Sequence, residues 1–482
     1  MKFSKPPMRI LIVLFFIVSV SMGQNSKTLI SLQTCVNEAI TNNIQLLQSK
    51  LQIDQSEILR KQANAAILPD LNANANQGWN FGRSIDPSTN QFVNQQIRSN
   101  NFGISSNLIL FNGFRIQHTI AQANATEKAT QYEYEENKNN LILNVVNAYL
   151  QVLFNKELLK NNQNQSNLTN SQLERTQKLV QSGILPETNL YTLKSQLSTD
   201  ELAIVNANNQ LNQAKLNLIM LMNTKMMADS LELFDIEPIN IPKDTNINYG
   251  SPDEIYTIAE KKQPSILGPY HRIISANIGV KVAKASVYPR LTLQGNVYTI
   301  YSSSRTQFKG YSLGQPVTIG YLTNDPTQTV SQPTVIPSFN EYPFVNQVND
   351  NISQSVSLNL TIPIFNNRNI KTSIDQAQIR QKNAELNFQN AKIQLKNRII
   401  QAYYNVEAAL KRKSASILQK NAADESFRIS EKRYLAGVAN SIDYMVVLNN
   451  LNRANSELLQ ATYDLALKIK ILEFYKGIDL NN

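Results

Sequence analysis

The sequence predicts a mainly α-helical chain with a membrane β-barrel portion, made of two tandem copies of one unit, each combining long helices with a β-hairpin. Three observations predict it. An export signal opens the chain, a fixed residue offset relates its two halves, and short alternating segments follow helical patterns that stop at proline.

Met1 to Arg9 carries the positive charges Lys2, Lys5 and Arg9, Ile10 to Val20 is apolar, and Ser21-Met22-Gly23 offers small residues. Residues 1–23 therefore read as a secretory signal peptide cut before Gln24. The apolar run falls short of the ~20 residues a spanning helix needs, and no later segment has ~18 consecutive apolar residues. Helical spans are excluded after the signal, and a β-barrel is not. Leu32-Gln33-Thr34-Cys35 superficially resembles a lipid-attachment motif, but it lies far from the apolar run inside an amphipathic pattern. Cys35 is expected to be a small buried residue.

With 15 Gly and 17 Pro in 482 residues, the chain lacks the linkers of many small modules, so long uninterrupted elements are expected. Two histidines, His118 and His271, and one cysteine leave almost nothing for a His-based acid/base site, a metal cage or a disulfide framework. No enzyme, cofactor or bound metal is expected. The net charge of +10 drops to +7 without the three N-terminal positives, and no basic block supports nucleic-acid binding.

The repeat runs through the whole mature chain. Ser31 to Leu71 aligns without a gap with Ser251 to Leu291, an offset of 220 that matches Ala39/Ala259, Leu47/Leu267, Ala63/Ala283 and Pro69/Pro289. After Phe111 the offset becomes 254, pairing Phe111-Asn112 with Phe365-Asn366, Ala148-Tyr149 with Ala402-Tyr403, and Gly183 with Gly437. The difference, 34 residues, marks an insertion between Leu291 and Phe365. Copy one is read as residues 24–250 and copy two as 251–482.

Each copy opens with a helix: Ser251-Pro252-Asp253-Glu254 is a capping box with proline at the first helical position, and Pro69 and Pro289 end the helical patterns. Alternation then gives strands at 71–81 and 101–111 in copy one and at 291–301 and 352–365 in copy two. The first three match the ~9 to 11 residues of a tilted membrane strand, and the fourth runs slightly longer. The connection Gly82 to Asn100 is modest, whereas Ser302 to Asn351 is long and polar and reads as an outside loop. From Ile116 to Ser182 there is neither proline nor glycine, which predicts one helix of ~100 Å at ~1.5 Å per residue. It carries two apolar seams side by side, Leu141-Val145-Ala148-Val152 and Ile142-Val146-Tyr149-Leu153, so neighbours are expected on both flanks. Copy two keeps the first seam in Leu395, Ile399, Ala402 and Val406 and loses the second at Lys396 and Glu407. Both long helices turn at glycine, with tips near 183–188 and 437–442, and a connector at 229–250 separates the copies.

Four strands cannot close a barrel, since single-chain outer-membrane barrels begin at eight and open edges in lipid leave backbone groups unsatisfied. Several chains must share one. This order of elements resembles the outer-membrane efflux protein family of the TolC type, on the strength of Ser31-Leu32-Gln33-Thr34-Cys35-Val36-Asn37-Glu38-Ala39, the turns Leu110-Phe111-Asn112-Gly113 and Ile364-Phe365-Asn366-Asn367, and Arg433-Tyr434-Leu435-Ala436-Gly437. The resemblance implies a homotrimer whose four strands per chain make a twelve-stranded outer-membrane barrel continuous with a periplasmic α-helical barrel. It also implies an exit duct for efflux or type I secretion, working with a periplasmic adaptor protein and an inner-membrane pump. Gly183, Ile184, Leu185, Gly437, Val438 and Ala439 would be the adaptor-docking tips. Asp443, six residues past Gly437, matches a position where the family places a gating carboxylate, while Val446 stands where a second acid is frequent and Asn189 is its copy-one equivalent. A non-conducting exported stalk or adhesin is the alternative, and it has no need of duplicated strand pairs or tip turns. The cargo is open: Met220, Met222, Met226 and Met227 cluster near a helix end, where core packing is expected.

Overall fold

The computed structural model describes residues 28–85, 90–94, 96–224, 234–239 and 249–478, so the expected signal peptide and most of the 229–250 connector lie outside the described residues. Copy one comprises β1 (Thr28–Ile30), α1 (Leu32–Asn42), α2 (Ile44–Ala65), β2 (Asn72–Asn80), β3 (Arg83–Ile85), β4 (Phe92–Asn94), β5 (Ile97–Phe111), α3 (Arg115–Gln181), α4 (Glu187–Met222) and β6 (Phe234–Ile236). Copy two comprises α5 (Pro252–Lys262), α6 (Pro264–Ala285), β7 (Arg290–Ser302), β8 (Thr306–Leu313), β9 (Val317–Leu322), β10 (Asp325–Gln332), β11 (Val335–Glu341), α7 (Phe344–Asp350), β12 (Ser353–Thr361), α8 (Asn369–Leu435) and α9 (Ser441–Lys476). The duplication shows in the helix lengths: α1 and α5 have 11 residues, α2 and α6 have 22, α3 and α8 have 67, α4 and α9 have 36.

Where one opening helix was expected in each copy, there are two. Asn43 adopts extended backbone, and its Oδ1 accepts the Leu46 N–H at 3.1 Å, so it ends α1 and caps α2 together. In copy two Gln263 is extended, and Pro264, whose missing N–H costs nothing there, starts α6. The capping box forms in full: Ser251 Oγ accepts from the Glu254 N–H at 3.3 Å, and Glu254 Oε2 accepts from the Ser251 N–H at 3.0 Å.

The chain divides into two compact units. One, residues 49–136 and 260–396, holds a four-stranded antiparallel sheet in the order β12-β7-β5-β2. Every strand joins its helix at one end of this sheet and its hairpin at the other, because β2 and β7 leave helices while β5 and β12 lead into them. β12 stops at Thr361, short of the expected 365, where Pro363 can no longer donate to a ladder. Between α3 and α6, Arg272 donates to Glu133 through two bonds of 2.8 Å, and the Thr126 and Ser275 hydroxyls bond each other at 2.8 Å.

The expected polar loop from Ser302 to Asn351 is in fact ordered structure. β8 pairs with β11, and nested between them β9 pairs with β10. The root is anchored on α7. Buried Gln347 accepts from the Ser302 N–H at 3.1 Å and donates to the Ser302 and Tyr342 carbonyls at 3.0 and 2.8 Å. Asn351 donates to the Ile300 carbonyl at 2.6 Å, and Phe344 packs on Tyr301, ring centroids 5.0 Å apart. The connection 82–100 likewise contains a small hairpin, β3 with β4.

The other unit, residues 1–48, 137–259 and 397–482, is helical apart from the parallel pair β1-β6. Leu141, Val145 and Val152 of the first seam are buried, and so are Ile142, Val146, Tyr149 and Leu153 of the second. At the centre of the second seam Tyr149 meets the β1-β6 pair. Tyr149 Oη contacts the Ile30 and Glu237 carbonyls at 3.1 and 2.7 Å, and Lys156 Nζ donates to both oxygens of Asp235 in β6 at 2.7 and 2.8 Å. Cys35 is fully buried, and burial pushes its thiol up to about 12.

Candidate functional site: a two-faced sheet and a pair of helical tips

Side chains alternate across a strand, so the register decides what each face of the sheet carries. Leu360, Leu358 and Val356 of β12 stand opposite Leu291, Leu293 and Gly295 of β7. Leu293 and Val297 in turn stand opposite Leu108 and Ile104 of β5, and Ile104 and Phe102 opposite Ala73 and Ala75 of β2. One face is thus largely apolar from edge to edge, with Ile104, Val297, Val356, Leu358 and Leu360 exposed and Leu108, Leu291 and Leu293 half-buried; at its hairpin end it carries Trp79, and Phe344 of α7 packs on Phe102 there. The other is polar along most of its length, with Asn72, Asn74, Asn76, Asn101, Asn107, Gln294, Asn296, Ser355, Ser357 and Asn359, broken by Ile109, Tyr298 and Ile300 and carrying one charge, Arg290, at its helix end. The two outer edges, on β2 and β12, have no partner strand among the described residues.

In the helical unit, α3 turns into α4 and α8 into α9 by the same device. Gly183 and Gly437 adopt φ of 76° and 72°; their N–H groups reach Val180 and Tyr434 carbonyls at 3.0 Å, and those of Ile184 and Val438 reach Leu179 and Arg433 at 2.9 and 3.0 Å. This is the Schellman pattern, and a Cβ at either glycine would meet only open space, so the backbone angle alone demands glycine. Ile184 and Val438 are 65% and 69% exposed; Leu185 and Ala439 are half-buried.

The two tips are tied together. Ser441 Oγ donates to Asn189 Oδ1 at 3.0 Å, the Tyr434 and Thr176 hydroxyls share a 3.0 Å bond, and Tyr434 stacks on Tyr444 with centroids 4.9 Å apart. Leu193, Met445 and Leu448 complete this buried cluster, with Ala439 packed against it. Sequence reasoning missed Thr176, Leu193 and Tyr444, since nothing local distinguishes them from other helix residues. Tyr434 had appeared only within the Arg433–Gly437 motif.

Asp443 is exposed in the first turn of α9, its backbone N–H bonded to the capping Asn440 Oδ1 at 2.7 Å. Of the methionines, Met222 is buried and Met220 exposed, while Met226 and Met227 lie outside the described residues. His271 stacks on Tyr132 at 5.4 Å, and burial, with Lys128 second, holds its imidazole below the usual value; His118 is half-buried on α3. Among the described residues no cluster of three metal-ligating side chains occurs, and no helix is long and apolar enough to cross a membrane.

This architecture is shared with solved channels. The chain is similar to the outer membrane protein VceC of Vibrio cholerae at 13% identity, covering 93% of this chain and 97% of that one with a TM-score of 0.74. It is similar to the CmeC outer membrane channel of Campylobacter jejuni at 17% identity, covering 92% and 85%, TM-score 0.71. It is similar to the MtrE outer membrane channel of Neisseria gonorrhoeae at 18% identity, covering 93% and 88%, TM-score 0.67. No curated protein matches it in sequence. The family model for outer membrane efflux proteins matches residues 35–224 and 255–474, one stretch in each copy, and with the repeat, the sheet and the tips in place the chain belongs to the outer membrane efflux protein family.

Proposed function

We propose that three copies of this chain form the exit duct of a tripartite efflux or type I secretion system. The observation that carries the reading is the sheet with one largely apolar face, one polar face and two edges without a partner strand among the described residues. In lipid those edges need strands, and three copies supply twelve to a closed barrel whose apolar face meets acyl chains and whose polar face meets water. The helical portion then reaches into the periplasm, where the tips bearing Ile184, Leu185, Val438 and Ala439 dock an adaptor that joins the duct to an inner-membrane pump. The amide-lined wall suits passive passage of cargo that the pump selects, with no bond made or broken. Asp443 is assigned as a gate: three copies around the axis repel one another and attract cations into a constriction. Mass measurement of the detergent-extracted complex, together with conductance in planar bilayers, tests the duct. A conducting trimer is expected; a monomer, a dimer or a non-conducting trimer would overturn the reading.

A further inference from the structure

The β8/β11 ribbon is amphipathic in a way a solvated loop has no need to be. Its register pairs Leu313 with Val335, Tyr311 with Pro337 and Phe308 with Phe339. The ring contacts Phe308–Tyr311 and Phe308–Phe339, at 5.1 and 5.9 Å, place these side chains on one face. The opposite face carries Gln307, Gly310, Ser312, Ser338 and Asn340, with Ile336 its one large apolar residue. The apolar face is uncovered in the subunit, Leu313 and Tyr311 being 83% and 72% exposed. A lone two-stranded ribbon is marginal in water, and a continuous exposed apolar face of this kind marks a contact surface.

The strand order says what lies beside it. The ribbon springs from the β7–β12 connection, on the β12 edge of the sheet, and the β3/β4 hairpin springs from the β2–β5 connection, on the opposite edge. When sheets close into a ring, β12 of one copy meets β2 of the next. The ribbon of each copy then rises next to its neighbour's β3/β4 hairpin, on the same side of the barrel. That hairpin presents a matching face: Ile85 and Phe92 are cross-strand partners, both exposed, and the Arg83 guanidinium lies 5.1 Å from the Phe92 ring centroid. Charge agrees in level as well as in sign. Glu341 sits at the root of the ribbon's apolar face, opposite Thr306, and Arg83 sits at the root of the hairpin, one residue past the Gly82 turn.

We infer that the β8/β11 ribbon of each copy seats its apolar face on the β3/β4 hairpin of the neighbouring copy, with Phe308 and Phe339 against Ile85 and Phe92 and Glu341 facing Arg83. The insertion is thus a strap between subunits outside the barrel, and this rests on the ring closure proposed above. Cysteine pairs test it, since the single native cysteine, Cys35, is buried. Phe339→Cys with Phe92→Cys, and as a second pair Phe308→Cys with Ile85→Cys, are expressed in the full chain and treated with a short bis-maleimide in outer membranes. Covalent dimers and trimers on a denaturing gel are expected from each double variant and from neither single variant. A trimer by mass that gives no covalent ladder from either pair would overturn the strap, as would a ladder from Phe339→Cys alone, which would mean that the ribbons meet each other. A complex that is not a trimer by mass would remove the ring closure itself, and the strap with it.

Discussion

Arginine at Leu358 and arginine at Asn359 differ by one residue and should differ by orders of magnitude in effect. Leu358 lies on the apolar face, 61% exposed in the subunit, opposite Leu293 of β7, which is itself opposite Leu108 of β5. Asn359 points to the polar face between Leu358 and Leu360. With a tilt of ~40° each residue advances ~2.6 Å along the membrane normal, so Leu358, five residues from Ser353, stands ~13 Å into an apolar band ~25 Å tall, close to its midplane. A lipid-facing arginine there costs ~2 to 4 kcal/mol, about 30- to 1,000-fold in the folded-to-unfolded ratio of each subunit. At Asn359 the guanidinium enters water, and the cost should stay near the ~0.5 kcal/mol typical of a solvated surface change. The assay is the urea midpoint of the reconstituted complex, read by loss of the heat-resistant band on a gel. If Asn359→Arg destabilised as much as Leu358→Arg, the face assigned to lipid would be wrong.

Gly437→Val forces a β-branched residue into the left-handed region at ~1 to 2 kcal/mol without any clash, so pump-dependent export should fail while the trimer still assembles by mass; normal export would argue against tip docking. Asp443→Asn should lower cation selectivity in single-channel recordings and change stability by no more than the ~0.3 to 1 kcal/mol of a helix-dipole term, and unchanged selectivity would leave only the helix-start role. Burial alone would raise the Asp235 carboxyl, but Lys156 and the Ile236 N–H outweigh it and hold it below the ordinary value. The folded value being the lower one, the pair stabilises the connector above the unfolded value of ~3.9 and loses that contribution as pH falls through the folded value. Thermal melts of wild type and Asp235→Asn should therefore converge in acid, and a gap that stayed constant from pH 7 to 3 would refute the linkage.

Much of this was legible in the sequence because the physics is local. Proline removes a donor, glycine admits positive φ, and an alternation of period two needs no partner to be read, so Pro289, Gly183 and the Val356–Ile364 segment announced their roles. The ribbon was not legible for the same reason inverted. Its apolar residues alternate as Tyr311 and Leu313, but the ladder pairs Gly310 with Ser338 and Phe308 with Phe339, so Lys309 is the extra residue of a bulge that breaks the period. The break at Asn43 was hidden because Thr41, Asn42 and Asn43 are all residues that can cap a helix, and only the Leu46 N–H bonded to Asn43 Oδ1 singles one out. The pairing of β1 with β6 joins three-residue strands some 200 residues apart, too short to carry any periodic signal. The Tyr434–Tyr444 stack depends on two helices meeting after a turn, a coincidence in space that spacing along the chain does not encode.

The equal lengths of corresponding helices make the molecule a ruler. Removing one heptad from α3 alone would draw the first tip back by ~10 Å against the second, separating Asn189 from Ser441 and Thr176 from Tyr434. Longer or shorter helical hairpins therefore require matched deletions or insertions in α3, α4, α8 and α9, so that the reach of the two tips can change only in coordinated steps of all four.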